Sequence, residues 1–273
     1  MDYMKKIDLH IHTSFSDGKY TPSEIIERAS KDDIKVISIS DHDTIKGLTE
    51  AYLAGKYYGI HIIPGVELSI ESKMNVHILG YNFDIKNAEF NRMIDELSSS
   101  RIRELIMVLR KLKRNRIDID INDIQKIDGF ISAHGIAKML IAKGYAATMD
   151  ECDSKFLMEG GIAYVKKFKV SAKQAIQTIN NAGGIAVLAH PIRYKLTDPE
   201  LYGMLEEYKT YGLKGLEVYH TDQDDTDKYI KIANKFHLRM SGGSDFHSEM
   251  EATLGLCADG KTIPFDVYEQ IVS

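Results

Sequence analysis

Only two cysteines, Cys152 and Cys257, occur in the 273 residues, which excludes both a disulfide scaffold and a cysteine-rich zinc site. Long apolar runs are missing too: stretches such as Ile185 to Ala189 are far too short to span a bilayer. The N-terminus enters a charged, histidine-bearing segment at once, so no signal peptide is expected and the chain reads as cytoplasmic. There is no basic excess, with 35 Lys+Arg against 40 Asp+Glu and a formal charge of −5, so a long nucleic-acid groove is not expected. What is present is a 44% hydrophobic chain, ample for a sizeable core, and ten histidines.

Lys6 to Thr13 reads KIDLHIHT, an alternation that sets Ile7, Leu9 and Ile11 on one face and Asp8, His10 and His12 on the other. Thr21-Pro22-Ser23-Glu24 is a capping-box start for a helix. Strands are expected at Val36 to Ser40, Ile60 to Ile63, Val76 to Leu79, IAVLAHP, Gly215 to Tyr219 and Leu238 to Gly242, with Pro64-Gly65 as a break. Helical spacing between most of them favours a parallel sheet, open or closed into a barrel of about seven strands. From Ala88 to about Arg116 a long apolar stripe, which includes Ile102 and Ile106, predicts a helix packed as core between barrel and insertion. Residues 86–165 read as a mainly helical insertion covering the active site, with 1–85 and 166–273 as the barrel.

The histidines and carboxylates cluster at strand ends. His10 and His12 end the first strand, with Asp17 just beyond; His42 follows the second. Glu67 follows the Pro64-Gly65 break, His77 opens a strand, His190 ends another, and Asp245 and His247 follow the last. Strand ends of parallel β/α proteins converge on one rim, where active sites are built. Nine such N and O groups exceed the needs of one ion and suit two or three divalent cations, with Mn²⁺, Fe²⁺ or Zn²⁺ favoured by imidazole and carboxylate without thiolate. Three such ions would bring the formal charge from −5 to about +1 and offer phosphate a cationic pocket.

The segments DLHIHT (8–13), SDG (16–18), SDHD (40–43), AHP (189–191) and SDFH (244–247), with Glu67 in GVE and His77 in NVHILGY, resemble the PHP (polymerase and histidinol phosphatase) family. The likeness is greatest to stand-alone phosphoesterases acting on nucleoside 3′,5′-bisphosphates and short RNA 5′ ends. It implies a distorted seven-stranded β/α barrel with a trinuclear site. By the resemblance, His10, His12, Glu67 and Asp245 would hold one cation, Asp17, His42 and His247 a second, and Glu67, His77 and His190 a third. Asp8 lies one step deeper than His10 and would orient rather than ligate; Asp41 and Asp43 would orient or cap helices. Asp17, Glu67, His247 and Arg193 are the expected catalytic set, with hydroxide generated at neutral pH attacking phosphorus in line.

Arg193 would clamp a phosphate bidentately. The insertion departs from the family's Gly-Arg-Pro-His-Ile-Ala: here 131–137 reads ISAHGIA, so Ala133, His134 and Gly135 replace Arg, Pro and His. His134 and Lys138, four apart, could share one helix face and contact substrate, as could His220. The expected partner is a small phosphorylated molecule, a nucleotide or short oligonucleotide. Histidinol phosphate or another small phosphate ester is the alternative substrate, and a non-catalytic metal-binding regulatory module the alternative class.

Overall fold

The computed structural model of the chain describes residues 6–122, 124, 133–222 and 224–273. One sheet holds seven strands in chain order: β1 (Lys6–Ile11), β2 (Ile34–Ile39), β3 (His61–Ser69), β4 (His77–Tyr81), β5 (Ile185–Leu188), β6 (Gly215–Tyr219) and β7 (Arg239–Gly242). β1, β2 and β3 pair in parallel, as do β5, β6 and β7, whereas β4 runs antiparallel to both neighbours. Parallel pairing needs a crossover of a dozen or more residues, and only residues 70–76 join β3 to β4. The sheet is therefore mixed, where the spacing suggested parallel pairing. The reversal has a functional consequence: the first residue of β4, His77, lies at the rim formed by the C-terminal ends of the other strands. An isolated bridge between Ile11 and Phe246 joins the two ends of the sheet order, giving a distorted, incompletely closed barrel.

Pro64-Gly65 does not end a strand. β3 runs straight through it and changes partner there, pairing with β2 up to Pro64 and with β4 from Gly65 onward. Gly65 is required by this close passage, since a Cβ would lie 2.0 Å from Ser38 Oγ and 2.6 Å from the Ile39 carbonyl oxygen. Glu67 is consequently held inside a strand rather than in a loop.

Thr21 opens the helix Pro22–Lys31 as the sequence predicts, its hydroxyl accepting from Glu24 N–H while the Glu24 carboxylate accepts from Thr21 N–H. Further helices at Leu48–Tyr58, Asp198–Tyr211 and Thr226–Lys235 separate parallel strands, and the helix Ala172–Asn181 precedes β5. Ile7, Leu9, Val36, Leu79 and Val187 of the sheet pack with Val267 and Ile271 of the helix Asp266–Val272.

The chain divides into two compact units, one running up to Ile94 and resuming over Lys169–Ser273, the other Asp95–Phe168. The helix Ala88–Arg114 begins in the first and continues in the second. Its apolar stripe serves two separate cores. Phe90 stacks on Phe83 in the barrel unit with ring centroids 4.3 Å apart, while Leu105, Val108 and Leu112 join Ile136, Leu140, Cys152 and Phe156 in the second unit's own core. Ile102 and Ile106, expected in the buried stripe, are exposed (55% and 39%). Among the described residues no helix is long and apolar enough to cross a membrane.

Candidate metal centre

Strand alternation puts Asp8, His10 and His12 on one side of β1, and all three are buried. Asp8 meets His10 through the backbone, its Oδ1 accepting from His10 N–H at 3.3 Å. Its carboxylate accepts from Ser244 N–H (2.9 Å), Ser244 Oγ–H (2.6 Å) and Gly255 N–H (2.8 Å), tying down both ends of the loop that carries Asp245 and His247. Gly243 lets that loop leave β7 against β1, because a Cβ there would meet His10 N and Cβ at 2.3 Å. Asp41 organises the loop after β1 in the same way, accepting from Thr13 N–H, Thr13 Oγ–H and Ser16 Oγ–H at 2.6–2.7 Å, and so sets the approach to Asp17. Asp43 accepts from Ser69 N–H at 2.9 Å. Three rim residues, Asp43, His190 and Asp245, have positive φ (56°, 24° and 51°), which non-glycine residues hold only where the surroundings enforce it.

The donors converge in three overlapping groups. His12 Nε2 lies 3.0 Å from Asp245 Oδ1 and 3.2 Å from Glu67 Oε2, and His10 Nε2 lies 3.3 and 3.4 Å from the same two oxygens. Asp17 receives the next group, with His12 Nδ1 at 3.4 Å, His247 Nε2 at 3.4 Å and His42 Nε2 at 3.5 Å. Around Glu67 lie His77 Nδ1 (2.8 Å), His190 Nε2 (2.9 Å) and His42 Nδ1 (3.0 Å). His12 thus belongs to two groups, and His42 likewise turns its two ring nitrogens to different carboxylates. The sequence reading placed each of them with one cation only.

The tautomers show what such a centre needs. His10 Nδ1 donates to Glu217 Oε1 (2.8 Å), and His247 Nδ1 donates to the Asp245 carbonyl (2.9 Å). A neutral imidazole then has only a lone pair on Nε2, aimed at a carboxylate oxygen. Lone pairs facing lone pairs repel unless a proton or a cation sits between them. The residues present therefore fit a group of divalent cations.

The titration directions follow from the same crowding. Burial pushes the Glu67, Asp17 and Asp245 carboxyls up, but the surrounding imidazoles reverse this and hold all three well below the usual range. Burial works against charge on His12, yet its bonds to Asp245 and Glu67 and the charge of Asp17 push it up to about 10. His10 is raised well above its ordinary value, against burial, by Glu217, Asp245 and Glu67. His42 and His190 are lowered, chiefly by burial.

Asp245 is held from behind. Its Oδ2 accepts from Arg193 Nη1 at 2.6 Å, and Arg193 Nε donates to Asp222 at 2.6 Å. His220 is fully buried; its Nδ1 accepts from Asp222 N–H at 3.0 Å, which leaves Nε2–H for Asp245 Oδ2 at 3.4 Å. Lys138 is exposed on the helix Ala133–Ala142 of the second unit, and the His134 side chain lies outside the described residues. Sequence reasoning missed Glu217 and Asp222. A lone carboxylate in the apolar strand GLEVY was the available signal for the first, since a charge in a strand buried on both faces requires a partner.

A sequence profile of the PHP domain matches residues 8–188. The chain belongs to the PHP family. It is 33% identical over 247 residues to a 5′-3′ exoribonuclease of Haemophilus influenzae, covering 89% of this chain and 90% of that one. It is 31% identical to a 3′,5′-nucleoside bisphosphate phosphatase of Chromobacterium violaceum, covering 91% and 89%. Among solved PHP-like structures, one assigned as a metal-dependent phosphoesterase from Bifidobacterium adolescentis superposes with a TM-score of 0.81 at 27% identity, covering 98% and 96%. PHP membership and a donor set of this density agree on metal-dependent phosphoric ester hydrolysis.

Proposed function

We propose that this PHP protein hydrolyses phosphate esters of small nucleotides, a nucleoside 3′,5′-bisphosphate or the 5′ end of a short oligonucleotide, at a centre of two or three Mn, Fe or Zn ions. The observation that carries the proposal is the convergence of His10, His12, Asp17, His42, Glu67, His77, His190, Asp245 and His247 into overlapping groups. The named activities of the relatives from Haemophilus influenzae and Chromobacterium violaceum support the substrate class.

His10, His12, Glu67 and Asp245 would hold one cation, Asp17, His42, His247 and the second nitrogen of His12 another, and Glu67, His77, His190 and His42 the third. Such a cluster, when bound, supplies hydroxide at neutral pH and screens the phosphoryl oxygens. Everything else falls to the chain. The carboxylates remain ionised because histidines surround them, so they offer lone pairs without first losing protons. Arg193, anchored on Asp222 and Asp245 but still partly exposed (44%), presents its outer edge to a phosphate. His220 and Arg193 together keep Asp245 Oδ2 occupied, so only Oδ1 turns to the centre.

The test is a substrate panel on metal-reconstituted protein: a nucleoside 3′,5′-bisphosphate, a 5′-phosphorylated oligonucleotide, histidinol phosphate and an aryl phosphate. Phosphate or nucleotide release from the first two, well above the others, is the expected result. Equal rates on all four would remove the nucleotide specificity, and no turnover with full metal occupancy would favour a regulatory module.

A further inference from the structure

Glu217 is the one charged residue of β6, Gly215–Tyr219, and its side chain is fully buried. Its two oxygens go to two different places. Oε1 accepts from His10 Nδ1–H at 2.8 Å and Oε2 accepts from the backbone N–H of His190 at 2.6 Å. His10 belongs to the donor group of His12, Asp245 and Glu67 and faces Glu67 Oε2, while His190 faces the other oxygen, Oε1, beside His77.

Ligating histidines are ordinarily oriented by a hydrogen bond on the ring nitrogen that does not face the metal. His10 has such a bond, to Glu217. His190 does not: among the described residues its buried Nδ1 has no hydrogen-bond partner. Its ring direction therefore depends on its backbone, which takes φ 24° and ψ 60°, an unfavourable conformation for a residue with a Cβ. The 2.6 Å bond from Glu217 is made to that backbone.

We infer that Glu217 is a positioning residue shared by two cation sites, holding His10 in the tautomer that aims Nε2 at Glu67 and Asp245 and holding the strained His190 backbone so that its Nε2 reaches Glu67. The inference rests on the rim being a cation centre, as proposed above. One carboxylate thereby links ligands contributed by β1 and by the turn after β5, and its loss should weaken two sites together rather than one.

Two measurements test this on the full chain. The first is a long-range ¹H–¹⁵N spectrum of the zinc-loaded wild type, in which His10 should carry its proton on Nδ1. The second is zinc titration of the metal-free wild type, Glu217→Gln and Glu217→Leu, followed by calorimetry and bound-metal analysis, with circular dichroism and melting curves to establish the fold. A glutamine can accept only one of the two bonds, so Glu217→Gln should weaken part of the uptake and Glu217→Leu should weaken two binding phases, each by about 10–100-fold. A His10 proton on Nε2 overturns the inference even if neither variant folds. Folded variants that bind zinc within about twofold of wild type in every phase also overturn it, while leaving the cation centre standing. A wild type that binds no zinc overturns the centre itself.

Discussion

Arg193 Nη1 donates to Asp245 Oδ2 across 2.6 Å, so this guanidinium is anchored on one of the centre's own carboxylates. Asp222 takes its Nε, which fixes the plane of the group and leaves its remaining edge outward. Arg193→Ala should raise KM for a phosphate monoester about tenfold, the scale of one charge-assisted hydrogen bond lost. Arg193→Lys should recover only part, because an ammonium cannot hold both carboxylates in that geometry. Steady-state kinetics on both variants decide it, and an unchanged KM would remove Arg193 from phosphate binding.

Glu67 is the hub, with five imidazoles within 3.4 Å of its two oxygens. Glu67→Gln keeps the shape and removes the charge that balances them. Turnover should fall by roughly 10²–10³-fold, with bound metal reduced in parallel when measured by elemental analysis. Normal metal content with normal rate would show that the rim works without this carboxylate.

Protons stand in for cations in the metal-free protein. His12 is raised from 6.5 to about 10, so its charged form contributes stability that is fully present below the unfolded value and is lost as pH rises through the folded one. Melting of the metal-free chain should therefore show this contribution fading between about pH 7 and pH 10, most clearly as a difference from His12→Ala. Zinc or manganese should reverse the trend, since ligation needs the lone pair and releases the proton. Calorimetry in two buffers of different ionisation enthalpy should register that release; identical apparent enthalpies would contradict it.

The Asp8 carboxylate accepts from the His10 backbone N–H (3.3 Å) and holds the loop that presents Asp245 and His247. Asp8→Ala leaves the buried Ser244 and Gly255 N–H groups without their acceptor. Unfolding free energy should drop by about 3 kcal/mol, read from urea melts. A loss below about 0.5 kcal/mol would indicate that water replaces the carboxylate.

Glu249 lies on the surface, bonded to Tyr20 and to Arg28 at 2.6 Å, and its carboxyl is pulled down to about 2, first by the Tyr20 hydroxyl. A depressed folded value contributes stability above the unfolded one, 4.5, that disappears as pH falls toward 2. With the side chain 45% exposed, solvent screening limits the effect to about 0.5–1 kcal/mol. Glu249→Gln should be less stable than wild type at neutral pH and equal to it near pH 2. A constant difference across that range would argue against the carboxylate charge.

The barrel was legible where a pattern is local. Alternation in KIDLHIHT set Asp8, His10 and His12 on one side of β1, and the Thr21 capping box marked a helix start that the structure shows. Helical spacing also found the helix Ala88–Arg114, but periodicity cannot say what a stripe packs against, and this one is divided between two cores with Ile102 and Ile106 left outside both. Pro64-Gly65 reads as a break because proline lacks a donor; inside β3 that loss coincides with the change from one pairing partner to the other.

At the centre, the sequence determined which residue types stand at the strand ends, because that follows from chain order and a period of two. Tertiary structure alone decided how they meet. The antiparallel course of β4 brought His77 to the rim, since a short connection permits no crossover. An imidazole has two nitrogens pointing to opposite sides, so only packing could place His12 and His42 between two carboxylates each. Glu217 became meaningful only when β6 closed beside His10 and His190, for a buried carboxylate is defined by the donors that surround it and those lie 207 and 27 residues away along the chain.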